Sequence, residues 1–259
     1  MVQKKIVIDV EYEHHRDWFQ GVSELVDVAE GANLLYDGRN RIVRSSLPDG
    51  SVVAIKRYKK FNVFKSIVYT LFTANKAKAA FNNAIELRKR GFSTPREIAY
   101  IEENKLGFIT RVYYICRYSD KRTVSQQLLS VRPFDKEFAA EYAAYVAELH
   151  KKGVMHLDFN SGNVLFDKSS GGYKFELIDI NRMRFYSKEV PKTLCMKNLA
   201  LFWHNDDVYR YVLEIYADAK GWSQDDLKEA FGVKFHHDKA WIRKKKFSSF
   251  FKKYILRRR

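Results

Sequence analysis

The sequence predicts an α+β fold in two lobes: an N-terminal antiparallel sheet carrying one main helix, then a mostly helical C-terminal lobe. Three observations predict it. Up to about residue 118, short β-branched runs alternate apolar and polar residues around a single helical stretch. From about residue 134 the apolar period becomes that of an amphipathic helix, and helical patterns dominate to the end. The 259 residues are 46% apolar, with four prolines, twelve glycines and no repeat or linker-like stretch, which is the composition of a chain with its own core. The lobes are expected at 1–118 and 119–259.

The elements follow in order. "KKIVIDVEY" and "NLLYDGRNRIVRSSL" have strand character, and "PDGS" at 48–51 is a turn signal. "SVVAIKRY" is the next strand, with Val52, Ala54 and Lys56 on one face and Val53 and Ile55 on the other. Residues 74–90 are rich in helix formers, with Ala77, Ala80, Phe81, Ala84 and Leu87 on one stripe and Gly91 as the stop. "REIAYIEENKLGFITRVYYICRY" reads as two strands joined by a polar turn at 102–107. "FDKEFAAEYAAYVAELHKKG" is a helix burying Phe134, Phe138, Tyr142, Tyr145, Val146 and Leu149. The apolar strands "NVLFD" and "YKFELIDI" follow, separated by the turn "KSSGG", and from about Thr193 the chain reads as helices.

Charge and cysteine use bound the setting. There are 47 Lys+Arg against 31 Asp+Glu, a net charge of +16, which implies an anionic partner. Residues 56–90 carry ten basic groups against Glu86 alone, and residues 234–259 carry eleven against Asp238 alone. Cys116 and Cys195 have no CxxC partner, so neither a disulfide framework nor a zinc site is expected and the compartment is expected to be reducing. The apolar run in "MVQKKIVIDVEYEHH" is too short for a signal peptide or a membrane span, and the expected location is cytoplasmic.

The string "HLDFNSGNVLF" at 156–166 carries the chemistry. Its His156, Asp158 and Asn163 fit the protein-kinase catalytic loop H-R-D-L-x-x-x-N, after a long helix and before a strand. The second following strand ends at Asp179, where a kinase places its other magnesium-binding carboxylate, and "VVAIK" upstream matches the strand whose lysine, here Lys56, holds the α/β-phosphates. Phosphoryl transfer is mostly positioning and charge neutralisation. Asp179 and Asn163 would therefore hold Mg2+, Asp158 would orient or deprotonate the attacking hydroxyl, Lys56 would fix ATP, and His156 would brace the loop. The fold is accordingly expected to be protein-kinase-like, with a nucleotide-binding first lobe and a catalytic second lobe.

With "RNRI", "VVAIKRYKK", "NKAKAAFNNAIELRKRGFSTPREIAYIE", "GVMHLDFNSGNVLF" and "FELIDINRMRFY" together, residues 35 to 215 resemble the bacterial lipopolysaccharide kinases, which include Kdo and heptose kinases. The resemblance implies ATP-dependent phosphorylation of a sugar hydroxyl in the lipopolysaccharide inner core, on a lipid-linked or free acceptor, at the cytoplasmic membrane face.

Some positions depart from the kinase pattern. There is no G-x-G-x-x-G; the hairpin at 37–41 would cover the phosphates through Gly38, with Arg39 or Arg41 either reaching them or remaining solvated loop charges. The family resemblance implies a helix glutamate where Asn82 stands, so Glu86 is left as a partner for Lys56, or else as a surface charge balancing Arg90. Asn160 stands where protein kinases carry a lysine, and only about a dozen residues, 181–192, separate Asp179 from the next helix. Both features disfavour a protein substrate. The alternatives are a RIO-like atypical protein kinase and a nucleotide-binding pseudokinase.

Other features are read more plainly. His14/His15 and His236/His237 lack a supporting carboxylate or cysteine pattern and are expected to be surface histidines, and Asp206 and Asp207 to begin a helix. "RYKKFNVFKSIVYTLFTANK" is expected to pack in the core. The tail "WIRKKKFSSFFKKYILRRR" interleaves aromatics with cations and is expected to press on an anionic membrane surface, making the protein peripheral to the inner membrane, with no nucleic acid partner.

Overall fold

The computed structural model describes residues 2–58, 76–130, 133–202 and 206–254, with side chains up to 246. The "FNVFKSIVYTLFTAN" part of the stretch expected to pack in the core lies outside the described residues. The chain forms two compact units, Met1–Lys121 with Glu176–Met183, and Arg122–Phe175 with Arg184–Arg259.

The first unit is built on β1 (Val2–Ile8), β2 (Leu34–Asp37), β3 (Arg41–Ser46), β4 (Val52–Arg57), β5 (Glu97–Lys105) and β6 (Phe108–Arg117), ordered β1-β5-β6-β4-β3-β2 with antiparallel pairing. Period-two alternation sends Val53 and Ile55 of β4 into a core with Val43, Ile98, Ile101, Tyr113 and Ile115. Truncating Ile55, fully buried, to alanine would cost about 2–5 kcal/mol.

One expectation is corrected here. The polar turn expected at 102–107 shrinks to Leu106–Gly107: β5 runs through Lys105, because β1 sets Lys5 opposite Glu102 and Lys4 opposite Glu103, each ammonium 4.0 Å from its carboxylate. Beside its one main helix, the first half holds two short ones. After β1 a 3-10 turn (Val10–His15), begun by Asp9 accepting from the Glu11 amide, leads into α1 (Arg16–Gln20) and α2 (Val22–Val28). Phe19, Val22 and Val26, spaced as one helical face, close the core on that side. The longer helix, α3 (Lys76–Lys89), buries the expected stripe Ala77, Ala80, Phe81, Ala84 and Leu87.

The segment Glu176–Met183 belongs to the first unit for identifiable reasons. The Leu177 amide donates to Ser93 O (3.0 Å), Thr94 Oγ1 donates to Leu177 O (2.8 Å), and Asn83 Nδ2 of α3 donates to Ile180 O (2.7 Å).

In the second unit, β7 (Arg122–Thr123) leads into α4 (Val124–Ser130), and Asp135 caps α5 (Lys136–Lys151) by accepting from the Phe138 amide at 3.0 Å, an interaction worth about 1 kcal/mol. Phe138, Tyr142, Val146 and Leu149 are buried as the stripe requires, whereas Tyr145 and Phe134, which precedes the helix, are only half-buried. The short strand β8 (Val154–His156) is followed by the loop of interest and by the hairpin of β9 (Val164–Ser169) and β10 (Gly172–Leu177). Phe166 and Tyr173 pack edge-on against Phe138, and Phe175 packs tilted against it, forming an aromatic core. Then come α6 (Lys192–Leu199), α7 (Asp206–Lys220), opened by Asp206 and Asp207, and α8 (Gln224–Tyr254). Among the described residues no helix is long and apolar enough to cross a membrane.

Candidate active site

Because Val53 and Ile55 face the core, Lys56 emerges on the opposite face of β4, where its Nζ lies 2.6 Å from Asp179 Oδ1. Both ammonium groups of Lys56 and Lys76 share the buried ring of Tyr58, at 5.3 and 6.0 Å from its centroid. The cluster is strongly positive. Burial, then the charges of Arg39 and Arg182, hold the Lys76 ammonium below its usual pKa, with Lys56 adding to the effect and Asp179 opposing it. Burial, helped by the Asp179 charge, pushes the Tyr58 phenol well up. The charges of Arg39, Arg182, Lys56 and Asp179 thus all act on the Lys76 ammonium, and Lys56 pairs directly with Asp179.

Asp179 itself has a left-handed backbone, with φ of 55°, uncommon for a residue with a side chain. The conformation is held from both sides. Leu177 and Ile180 are tied to 93–94 and to Asn83, while the Asn181 amide, oriented to donate, reaches Asp179 O at 3.2 Å and Oδ1 at 2.6 Å. The neutral tether Asn83 was missed in the sequence; its neighbour Asn82, at the place where the family resemblance implies a glutamate, is exposed.

Of the two readings of Glu86, the structure shows the one that balances Arg90. Glu86 takes the Nε of Arg90 at 2.8 Å, one turn along the same helix, and Lys56 takes Asp179. The hairpin at 37–41 is present between β2 and β3. Gly38 donates its amide to Asn40 O (3.0 Å), and a Cβ there would run into the Tyr36 ring, so glycine is what lets Tyr36 fold over the turn. Arg39 is exposed and belongs to the cationic cluster. Arg41 does not reach out: its guanidinium caps α2 by donating to Val26 O (2.9 Å) and Ala29 O (2.6 Å) and pairs with Asp37.

In the second unit the loop after β8 is closed by its own amides. The buried His156 accepts the Asp158 amide at Nδ1 (3.1 Å). Asn160 Nδ2 and Asn163 Nδ2 both donate to Asp158 O, at 3.0 and 2.9 Å, and Asn160 Oδ1 accepts the Gly162 amide (2.9 Å). The Asn160 side chain is therefore spent on the loop. Phe159, next to Asp158, is buried and stacks on Tyr142 of α5 with ring centroids 6.4 Å apart.

A relay absent from the sequence reading lies beneath this loop. Asn198 of α6 donates to His156 O (2.8 Å), and its Oδ1 lies 3.0 Å from His150 Nε2. His150 Nδ1 lies 2.7 Å from the Tyr216 hydroxyl. The acceptor role of Asn198 Oδ1 assigns the ring proton to Nε2, leaving Nδ1 to accept from Tyr216. Burial holds the His150 pKa down to about 4. His15, expected at the surface, is buried.

The fold, with a lysine on a sheet strand against an aspartate and an H-x-D-x-x-x-x-N loop, defines a kinase-like phosphotransferase that acts on an alcohol group. The comparisons give the family: the lipopolysaccharide kinase (Kdo/WaaP) model matches residues 51–229, and the chain belongs to that family. It is therefore a kinase acting on a lipopolysaccharide sugar. A 3-deoxy-D-manno-octulosonic acid kinase of Vibrio vulnificus strain YJ016 is 22% identical over 204 residues, spanning 66% of this chain and 82% of that one, and its counterpart in strain CMCP6 is 21% identical over 206 residues, spanning 67% and 83%. Among solved structures, WaaP in complex with acyl carrier protein superposes with a TM-score of 0.58 at 16% identity, covering 91% of this chain and 97% of that one, a likeness of fold.

Proposed function

We propose that this chain transfers the γ-phosphoryl group of ATP to a hydroxyl of Kdo or heptose in the lipopolysaccharide inner core, at the cytoplasmic face of the inner membrane. The observation that carries the reading is Lys56, whose Nζ lies 2.6 Å from Asp179 Oδ1, with the Lys76 ammonium beside it over the Tyr58 ring. Two ammonium groups against the Asp179 carboxylate suit the binding of a triphosphate. Without a glycine-rich loop, these side chains would do by charge what backbone amides do in other kinases.

Lys56 would hold the α/β-phosphates as a point charge. Asp158 would orient the acceptor hydroxyl and take its proton as the new P–O bond forms and ADP leaves. Its backbone is pinned for this by His156, Asn160 and Asn163. Toward Mg2+, a hard ion that takes oxygen, Asp179 would offer a carboxylate, and Asn163, whose Nδ2 is committed to Asp158 O, would offer its amide oxygen. When bound, Mg2+ would offset the charge on the phosphates. A glycan acceptor suits the short connection from Asp179 to α6. The exposed Phe235, Trp241 and Ile242 on α8, beside Lys239 and the cations at 243–246, would bring the enzyme to anionic lipid.

Incubation with Mg·ATP and a panel of Kdo-lipid A, heptosylated core and protein acceptors, read by mass, tests the assignment. A sugar acceptor is expected to gain one phosphate, and a protein acceptor phosphorylated in its place would refute it. Asp158→Ala and Asp179→Ala are each expected to lower turnover by about 10²-fold or more with unchanged circular dichroism. Full activity in either would break the mechanism.

A further inference from the structure

His14 and His15 end the 3-10 turn after β1, and Asp49 sits in the turn between β3 and β4. The fold brings them together, and one ligand atom from each lies within 4.8 Å of the others. The carboxylate that the sequence does not place beside the histidines is thus delivered by a different turn. Two further observations point to a ligand. His15 is only 7% exposed, and its Nε2 is a buried nitrogen with no hydrogen-bond partner among the described residues. That nitrogen nevertheless lies 3.2 Å from Asp49 Oδ2, close to the ~3.3 Å that separates two donors bound tetrahedrally at zinc's bond lengths. The two groups form an ion pair when the ring is protonated, and with a neutral ring a bridging ion would hold two donors at that spacing.

The remaining geometry agrees. Asp49 Oδ1 is occupied by the Ser51 amide at 2.8 Å, which fixes the turn and leaves Oδ2 facing His15. The exposed His14 ring lies 3.9 Å from the His15 ring, centroid to centroid.

We propose that His14, His15 and Asp49 form a binding site for a divalent transition metal of the zinc class, with a fourth position open to water. Two imidazoles and one carboxylate suit zinc and its borderline neighbours, and not magnesium or calcium, which take oxygen ligands. The ion would clamp the turn after β1 to the turn that feeds β4, the strand of Lys56.

The test is calorimetric titration of the chelator-stripped, full-length protein with Zn2+. One Zn2+ per chain is expected. Asp49→Asn, whose amide oxygen can still accept from Ser51, and the surface change His14→Gln are each expected to weaken binding by at least the ~10–100-fold that even an outer-shell partner is worth. The double variant His236→Ala/His237→Ala, which removes the other adjacent pair, is expected to bind as the native chain does. Absence of Zn2+ binding by the native chain at micromolar concentration, or unchanged binding in Asp49→Asn, would overturn the proposal.

Discussion

Between Tyr216 and Asn198, His150 is buried, and its neutral form holds both hydrogen bonds at once. Burial disfavours the imidazolium, which lowers the folded pKa to about 4 from the ordinary 6.5. The unfolded chain therefore binds this proton more readily than the folded one. The stabilisation is fully present above pH 6.5 and is lost as pH falls from there towards 4, with a total of roughly 3 kcal/mol. Thermal melts of the native chain are expected to fall across that window. His150→Ala, less stable at neutral pH, is expected to show a flatter dependence. An equal slope in both would remove His150 from the account. Since Asn198 links this histidine to His156 O, the same acidification is expected to loosen the Asp158 loop.

At the scale of elements, the helix α3 meets the Asp179 segment through a neutral bond. Asn83 Nδ2 donates to Ile180 O, one residue after the left-handed Asp179, and α3 carries Lys76 one end of the cationic cluster. Asn83→Asp keeps the shape and removes the donor. The lost bond is expected to cost about 1–3 kcal/mol and, by releasing Asp179, to lower kcat for ATP turnover about tenfold or more with folding intact. Native turnover in Asn83→Asp, measured beside its melting temperature, would reduce the bond to packing. Glu86, bound to Arg90, is then expected to be dispensable, and Glu86→Gln to keep native turnover.

Across the whole molecule the positive charge is uneven. The net +16 has a large share at 234–259, and α8 runs 31 residues, about 46 Å, with Trp241 and Ile242 exposed and Lys245 lying 4.9 Å from the Trp241 ring. Each cation near an anionic surface is worth about 1 kcal/mol, an attraction screened by salt. Co-sedimentation with anionic vesicles is expected for the full chain, to weaken as salt rises, and to drop in a chain ending at Lys239. Equal binding by the two would end the role of the tail.

Much of this molecule is legible in local order along the chain. The alternation in β4 put Lys56 opposite Val53 and Ile55, the stripe of α5 named its own core, and the spacing of His156, Asp158 and Asn163 marked one loop, because periodicity and spacing are properties of neighbours. The short α1 and α2 escaped notice because each is at most seven residues, too brief to establish a period. Partner choice was not legible. Asn83 meets Ile180 across 97 positions, Glu86 turns to Arg90 while Lys56 takes Asp179, and Asp49 arrives beside His15 from another turn. Those pairings exist only once strand order and helix packing have set which side chains share a face, and residues far apart in sequence carry no local trace of that geometry.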